Sequence, residues 1–568
     1  MERKGEFTMY QTVKGWLKTS GRIFVNEEGQ EVLLRGMGVA NWLNPEGFLF
    51  GGAPFGGVMG RFARSAEFDR GRTMDQFITE LCGPSYQKKF WSEWEKRYFA
   101  EEDIRAMKDQ GFNSVRLPLD ARLILREEPG YQFNEEHLAM LDHYLDLCEQ
   151  YGLYVIIDLH AACAGQSAVS CDNGVDNQPH LFLDEEGADR TVRLWEELAA
   201  RWADRWIIAG YDLLNEPIAL PMFDYLVPEL KKFYDRLVTA IRAVDQRHIL
   251  FIQGNRFAGR LDIFDHDYDP EYHNWAITTH CYETFPDLAL FGPILAKSEE
   301  RNVPVWMGEC GGSDPKNPAA GNAWMAAFFE SLMEYHISYN IWCAKALDGV
   351  DAAYTFSFAG PEPQGWQQVV DYCQKGGAKP GYAKAIAIFD ELLENIRFEN
   401  CTEQKDRVAV MLRRPGICVP ASAYDTDSEH RGSWPYALFC GFRREDRMHL
   451  VYEPGYVPND LGGLAMMNPN PVKYGDWPHI WLQLDEGDAA SYSVREAEKE
   501  VPVRLQICGA AGAKIRVSAD GIVLYEGGVP AGEKPEPLDV GTANAGERVV
   551  VTVEAVNGSV IFKEIEFI

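Results

Sequence analysis

The chain has no uninterrupted apolar stretch approaching the ~18 residues that a membrane-spanning helix needs. Its beginning, "MERKGEFTMYQTVKGWLKTSGRIFV", also lacks the hydrophobic run of a signal peptide. The chain as it stands is therefore expected to be cytoplasmic, without stable membrane insertion. No Cys-x-x-Cys pair occurs among its 12 cysteines, so reduced thiols are expected. Basic residues are in deficit: 55 Lys and Arg stand against 86 Asp and Glu, a formal charge of −31. Such a field repels phosphate backbones and argues against nucleic acid as a partner. Sequence repeats and low-complexity linkers are missing too.

What remains is ample material for a core. Hydrophobic residues make up 46% of the 568, and aromatics 12%, including 15 Trp. That length exceeds one ordinary domain. Eight apolar, β-rich runs recur along the first two thirds: 31–39, 112–118, 154–160, 206–216, 248–254, 275–281, 303–309 and 337–343. They show little polar alternation, as expected of parallel strands buried on both faces. Amphipathic segments lie between them. In 135–151, Leu138, Leu141, Leu145 and Cys148 share one face, with Asn134 placed to cap the start and Gly152 to end it. In 319–336, Trp324, Phe328, Leu332 and Tyr335 do the same. Strand and helix repeated eight times predict a (β/α)8 TIM barrel over 1–398, class α/β, with an insertion at 44–96 over its C-terminal mouth. From 399 to 568 the texture turns to short alternating runs such as "KIRVSADGIVLYEG", which predict a C-terminal antiparallel β-sandwich. Its role is expected to be structural, since its aromatics (Trp434, Tyr436, Tyr456, Trp477, Trp481) form no legible binding face.

Chemistry in such a barrel gathers where strands end. Here the ends carry Arg116, His160, Asn215 with Glu216, His280 with Tyr282, Glu309, and Trp342. Singly, each has a bland reading as helix cap, core histidine or packing. Together they predict two carboxylates facing each other across the mouth, at ends of the fourth and seventh strands. A pair of carboxyls ~5–5.5 Å apart is what retaining glycoside hydrolysis requires. Arg116 and Tyr282 are expected to donate hydrogen bonds to Glu309 and keep it ionised as nucleophile. The negative charge of Glu309 is expected to keep Glu216 protonated, so that it can act as the acid. Asn215 suits a sugar 2-hydroxyl, and Trp342 offers a floor for a pyranose ring.

The motifs "RG" (35–36), "GFNSVRLP" (111–118), "DLH" (158–160), "LLNEP" (213–217), "HCY" (280–282), "GE" (308–309) and "WCAK" (342–345) resemble glycoside hydrolase family 5. The resemblance covers roughly 20–395. It implies a metal-independent retaining enzyme with no cofactor, Glu216 as acid/base and Glu309 as nucleophile. Substrate contacts would come from Arg116, His160, Gln166, Asn215, His280, Tyr282, Trp342 and Lys345. A cis peptide at Trp342–Cys343 is implied as well. Gly165, Gln166 and "YFAEEDIRAM" (98–107) point toward members of the exoglucanase and endoglycoceramidase type, whereas "RGMGVANW" and Cys163 depart from many members. Two rivals stand against this reading. A metal-dependent barrel hydrolase would need a His-x-His after the first strand, which ends instead in Asn41 and Trp42. A non-catalytic carbohydrate-binding barrel would have little reason to keep both carboxylates. The expected partner is thus a carbohydrate or glycoside substrate. The Phe- and Gly-rich insertion is expected to wall off one end of the groove and make the enzyme exo-acting on small β-glucosides, with glycolipid cleavage as the alternative.

Overall fold

A computed structural model describes residues 13–50, 69–282, 286, 288–312, 318–348, 356–425, 430–434, 446–457 and 474–568. Eight parallel strands close into a barrel: β1 (Arg35–Gly38), β2 (Ser114–Asp120), β3 (Tyr154–Ala161), β4 (Ile208–Asp212), β5 (Ile249–Gln253), β6 (Trp275–Tyr282), β7 (Val305–Gly311) and β8 (Ser338–Ile341). Each pairs with its sequence neighbours, and β8 returns to β1 through Tyr339 and Arg35. All eight apolar runs are these strands. Every residue of β2, β3, β4 and β5 is buried, which explains why the runs show no alternation.

The barrel is apolar at one end and polar at the other. Tyr154, Ile156, Ala209, Ile249, Phe251, Ala276 and Trp306, near the strand starts, form one cluster with Leu17, Phe24 and Val32. An antiparallel hairpin, Lys18–Ser20 with Ile23–Val25, supplies part of that plug. Water is therefore excluded from the bottom, and the charged residues are left to the C-terminal mouth. The helix at Glu135–Tyr151 buries Leu138, Leu141, Leu145 and Cys148 as its spacing predicts, and Gly152 ends it at φ 76°. Asn134 occupies the cap position, but its amide donates to Leu123 O at 3.1 Å instead of capping with its oxygen.

The insertion is tied to the mouth by polar contacts. Asn44 donates to Cys171 O (2.8 Å), Arg70 to Gly174 O (2.9 Å) and Arg72 to Asn173 O (2.7 Å). Two helices, Gly71–Cys82 and Pro84–Tyr98, make up its second half. Most of the Phe- and Gly-rich stretch expected to close the groove, residues 51–68, lies outside the described residues.

The chain divides into two compact units: Met1–Tyr282, Ile294–Gly311 and Ile337–Gln404 form one, and Glu283–Pro293, Gly312–His336 and Lys405–Ile568 the other. The second unit contains two antiparallel sheets. One orders the strands 449–452, 480–484, 560–567, 501–509 and 536–543, with 417–420 also on 560–567; the other orders 489–497, 546–557, 514–519 and 522–528. Strand 546–557 alternates: Val549, Val551, Val553 and Ala555 are fully buried, and the residues between them are not. The two buried faces meet at Tyr492 and Phe562, whose rings are 5.5 Å apart. Trp477 and Trp481 are core residues here. Tyr436 lies outside the described residues.

The same unit holds the helix Pro318–Glu334 by a buried ionic network. Glu330 accepts from Arg495 Nη2 (2.5 Å) and Ser493 Oγ (2.9 Å), and it lies 3.3 Å from Arg413 Nε. Arg413 in turn donates to Ala326 O at 2.8 Å. Removing one partner of such a network leaves buried charge uncompensated, so Glu330→Ala should lower stability by about 3–5 kcal/mol. Chemical denaturation followed by the tryptophan signal checks this; a loss below ~1 kcal/mol would show that the network is solvated.

Candidate active site

The mouth is organised around one guanidinium. Arg116, on β2, is fully buried. Its Nη1 donates to Glu309 Oε1 at 2.6 Å, its Nη2 to Asn215 Oδ1 at 2.8 Å, and Nη2 and Nε to Asp212 Oδ2 at 2.9 and 3.1 Å. Asp158 Oδ2 lies 3.1 Å from Nη2. The bland reading, a barrel-lining salt bridge, and the functional one, a contact to Glu309, both describe this residue.

Glu309 sits on β7 opposite His280 of β6 in the strand register. Tyr282 donates its hydroxyl to Glu309 Oε2 at 2.6 Å, so each carboxylate oxygen has one donor. Two such bonds fix the orientation of the carboxyl group. Glu216 follows β4 with a positive φ of 43°, a conformation that costs an L-residue energy and recurs at functional sites. Its Oε1 is 2.8 Å from His280 Nδ1. Glu216, Glu309 and His280 each place one donor atom within 4.8 Å of the others. Burial pushes the Glu216 carboxyl up to about 7. Desolvation is thus the cause of its retained proton, where the sequence suggested repulsion from Glu309.

Burial lowers His160 and His280 to about 4, so both imidazoles are neutral at pH 7. His160 Nδ1 lies 2.7 Å from Asp158 Oδ2, and its Nε2 faces Asn215 Nδ2 at 3.3 Å. A proton on Nδ1 satisfies both contacts. Asn215 is then fixed by Arg116 and His160 together, and its second amide hydrogen has no partner among the described residues. Trp342 stands on Gly38, where an added Cβ would approach its ring within 2.6 Å, and lies parallel to His160 at 5.3 Å. At 2% exposure it is a wall of the pocket. The Trp342–Cys343 peptide is cis.

Two residues expected to contact the substrate have their polar groups committed to the protein. Gln166 spends its amide on protein: Oε1 accepts from Ala162 N (2.9 Å), and Nε2 donates to His160 O and Asn215 O (2.8 Å each). Lys345 pairs with Asp103 at 2.5 Å and donates to Tyr98 O (2.8 Å) and Ile396 O (3.2 Å), which uses all three of its hydrogens away from the mouth. Both are structural because their polar atoms are satisfied by buried backbone.

Four residues in the site were not singled out from the sequence. Asp158 shares a face with His160 by strand alternation, a signal that was available. Asp212 and Gln253 are seated deeper on β4 and β5: Gln253 Nε2 donates to Asp212 Oδ1 and Oδ2 at 2.9 and 2.8 Å. Burial raises Asp158 to about 7 and Asp212 to about 6. Glu46, in the loop after β1, is 3% exposed, and its Oε2 has no hydrogen-bond partner among the described residues. Burial, then the nearby charges of Glu309 and Glu216, pushes its carboxyl well above the usual range. No sequence pattern marks it.

As a donor set, Glu216, His280 and Glu309 resemble a divalent-metal site. The guanidinium 2.6 Å from Glu309 already supplies positive charge there, and a cation at the same carboxylate would be repelled by it.

Residues 73–348 match the family model for cellulase, glycosyl hydrolase family 5. The resemblance read from the strand-end motifs is thereby borne out. A beta-xylosidase of Phanerodontia chrysosporium is 31% identical over 286 residues, covering 50% of this chain and 56% of that protein. The sporulation-specific glucan 1,3-beta-glucosidase of Saccharomyces cerevisiae is 27% identical over 207 residues, covering 35% and 44%. The chain thus spans about half the length of the curated relatives it matches. Among solved structures, an endogalactoceramidase aligns over 98% of this chain and 100% of its own at 14% identity and a TM-score of 0.47.

Two outcomes follow from the geometry. Arg116→Ala should cut turnover by about 100-fold or more, because Glu309 loses its preorganised donor. It should also destabilise the fold by about 3–5 kcal/mol, since Asp158 and Asp212 lose their counter-ion; kinetics per folded molecule and a melting curve separate the two effects. With Glu216 in the role of proton donor that the sequence predicts, kcat/KM should fall as pH rises through about 7. A pH–rate profile flat to pH 9 would remove Glu216 from that role.

Proposed function

We propose that this chain is a retaining β-glycosidase, exo-acting on small β-glucosides. The observation that carries the first part is the separation of the two carboxylates. One oxygen of Glu216 lies within 4.8 Å of one oxygen of Glu309, which supports the close pair, ~5–5.5 Å apart, of double displacement over the ~6.5–9.5 Å pair of inversion.

The reaction follows from the two protonation states. Glu309, held by Arg116 and Tyr282, attacks the anomeric carbon while Glu216 gives its proton to the departing oxygen. The bond to the aglycone breaks as the glycosyl ester to Glu309 forms. Glu216, now a carboxylate, takes a proton from water, and the hydroxide so formed displaces Glu309 from the anomeric carbon. His280, neutral and 2.8 Å from Glu216 Oε1, steadies the acid in both protonation states.

Exo action is supported by Glu46. Glu46 is tied by its backbone to Asn41 Oδ1 at 2.8 Å and brings an unpartnered carboxyl oxygen to the catalytic pair, suited to a hydroxyl of a terminal sugar. Relatives named as a beta-xylosidase and a glucan 1,3-beta-glucosidase support this reading, while an endoglucanase C of Acetivibrio thermocellus, 28% identical over 160 residues, stands on the other side. One feature favours glycolipid as an alternative substrate. Beyond Glu216, a small apolar patch of Val169, Cys171 and Ala219 carries the partly exposed Leu220 and Phe257, on which a hydrophobic aglycone can rest.

Glu309→Gln should abolish turnover of every substrate. Glu216→Ala should keep activity on aryl β-glucosides with good leaving groups, and azide should rescue it as the β-glucosyl azide. The reverse pattern would exchange the roles. For the mode of cleavage, a β-linked oligosaccharide labelled at its reducing end should lose single sugars from the first time point. Early internal fragments would refute exo action, and turnover confined to glycolipid would select the second substrate.

A further inference from the structure

Glu216 has an unusual support. Its positive φ is not relieved by glycine, so the neighbouring backbone must be over-determined to hold it. The peptide joining Asn215 to Glu216 is gripped at both polar ends by buried glutamines. Its carbonyl, Asn215 O, accepts from Gln166 Nε2 at 2.8 Å; its amide, Glu216 N, donates to Gln253 Oε1 at 2.8 Å. Gln166 and Gln253 are each fully buried.

The two grips differ in what lies behind them. Gln166 leans on backbone alone, at Ala162 N and His160 O. Gln253 leans on charge: its Nε2 donates to both oxygens of Asp212, and Asp212 Oδ2 receives Nε and Nη2 of Arg116. Those contacts fix the amide's orientation, because a flipped Gln253 would turn its oxygen toward a carboxylate. They also make one continuous chain, from the Glu216 backbone through Gln253, Asp212 and Arg116 to Glu309.

We propose that Gln253 is a positioning residue for the general acid, acting through the Glu216 backbone amide and coupling its placement to the Arg116–Glu309 pair. Gln253 reaches neither the anomeric carbon nor the leaving oxygen. Its effect is to keep the Glu216 carboxyl where His280 Nδ1 meets it and where the departing oxygen must lie. An amide is needed for this, since one end must accept from Glu216 N and the other must donate to Asp212. A hydrocarbon of the same length satisfies neither.

The inference rests on the assignment of Glu216 as the acid, and the experiment separates the two. With aryl β-glucosides of graded leaving-group ability, Gln253→Leu should lose about 10-fold more kcat/KM on the poorest leaving group than on the best, because only the former needs a well-placed proton. Gln253→Glu, which keeps the volume and regains a donor when protonated, should recover the poor-leaving-group rate as pH is lowered. A loss of equal size on all leaving groups, or none, overturns the proposal. A second readout needs no turnover: the Glu216 carboxyl band, identified in the infrared by its absence in Glu216→Gln, should titrate at a different midpoint in Gln253→Leu. An unmoved midpoint overturns the proposal even if the wild type hydrolyses no glucoside, an outcome that by itself would instead defeat the β-glucosidase reading.

Discussion

A single buried cation sets the terms for the whole mouth of the barrel. Arg116 has Asp158, Asp212 and Glu309 within ion-pair distance, and Glu216 and Glu46 are buried close by. One positive charge cannot neutralise five buried acids, so some of them must keep their protons at neutral pH. Contact with the guanidinium does not by itself decide which: Asp158 and Asp212 touch Arg116 and burial still raises them to about 7 and 6, while Glu216, out of its reach, is raised to about 7. Desolvation is the leading cause at all three, so depth of burial sets the protonation of the mouth and the guanidinium sets its geometry.

The fold was legible because burial leaves a strong imprint. Strands covered on both faces must be apolar throughout, and eight such runs at barrel spacing admit few other arrangements. The strand-end residues were legible for the opposite reason, as polar groups that a buried strand would otherwise avoid. Gln166 and Lys345 were misread because a motif records the presence of a polar side chain and not whether backbone carbonyls have already claimed its hydrogens. Glu46 and Gln253 stayed hidden for a related reason. Their importance arises from contacts across 37 residues or more of chain, as between Gln253 and Glu216, which no local pattern can express.

Conformational strain marks the same region. Besides Glu216, Ile218 has a positive φ, as do Ala164 and Ala168 in the loop after β3 and the consecutive residues Arg256, Phe257 and Ala258 after β5. These loops are laced together: Ile218 N donates to Gln166 O at 2.9 Å, Ala219 N to Ser167 O at 2.8 Å, and Arg256 N to Ile218 O at 3.0 Å. Backbone bonds of this kind let three loops share the energetic cost of holding one carboxyl rigidly. Rigidity at that point is what transition-state complementarity needs, because a misplaced proton donor loses most of its effect.

The helix at Pro318–Glu334 gives the chain a problem of timing. Glu330 is translated well before its partners: Arg495 follows 165 residues later. At ordinary rates of synthesis that separation is roughly 10–30 s, during which a helix carrying an acid meant for burial waits without its counter-ions. Slower translation lengthens that wait.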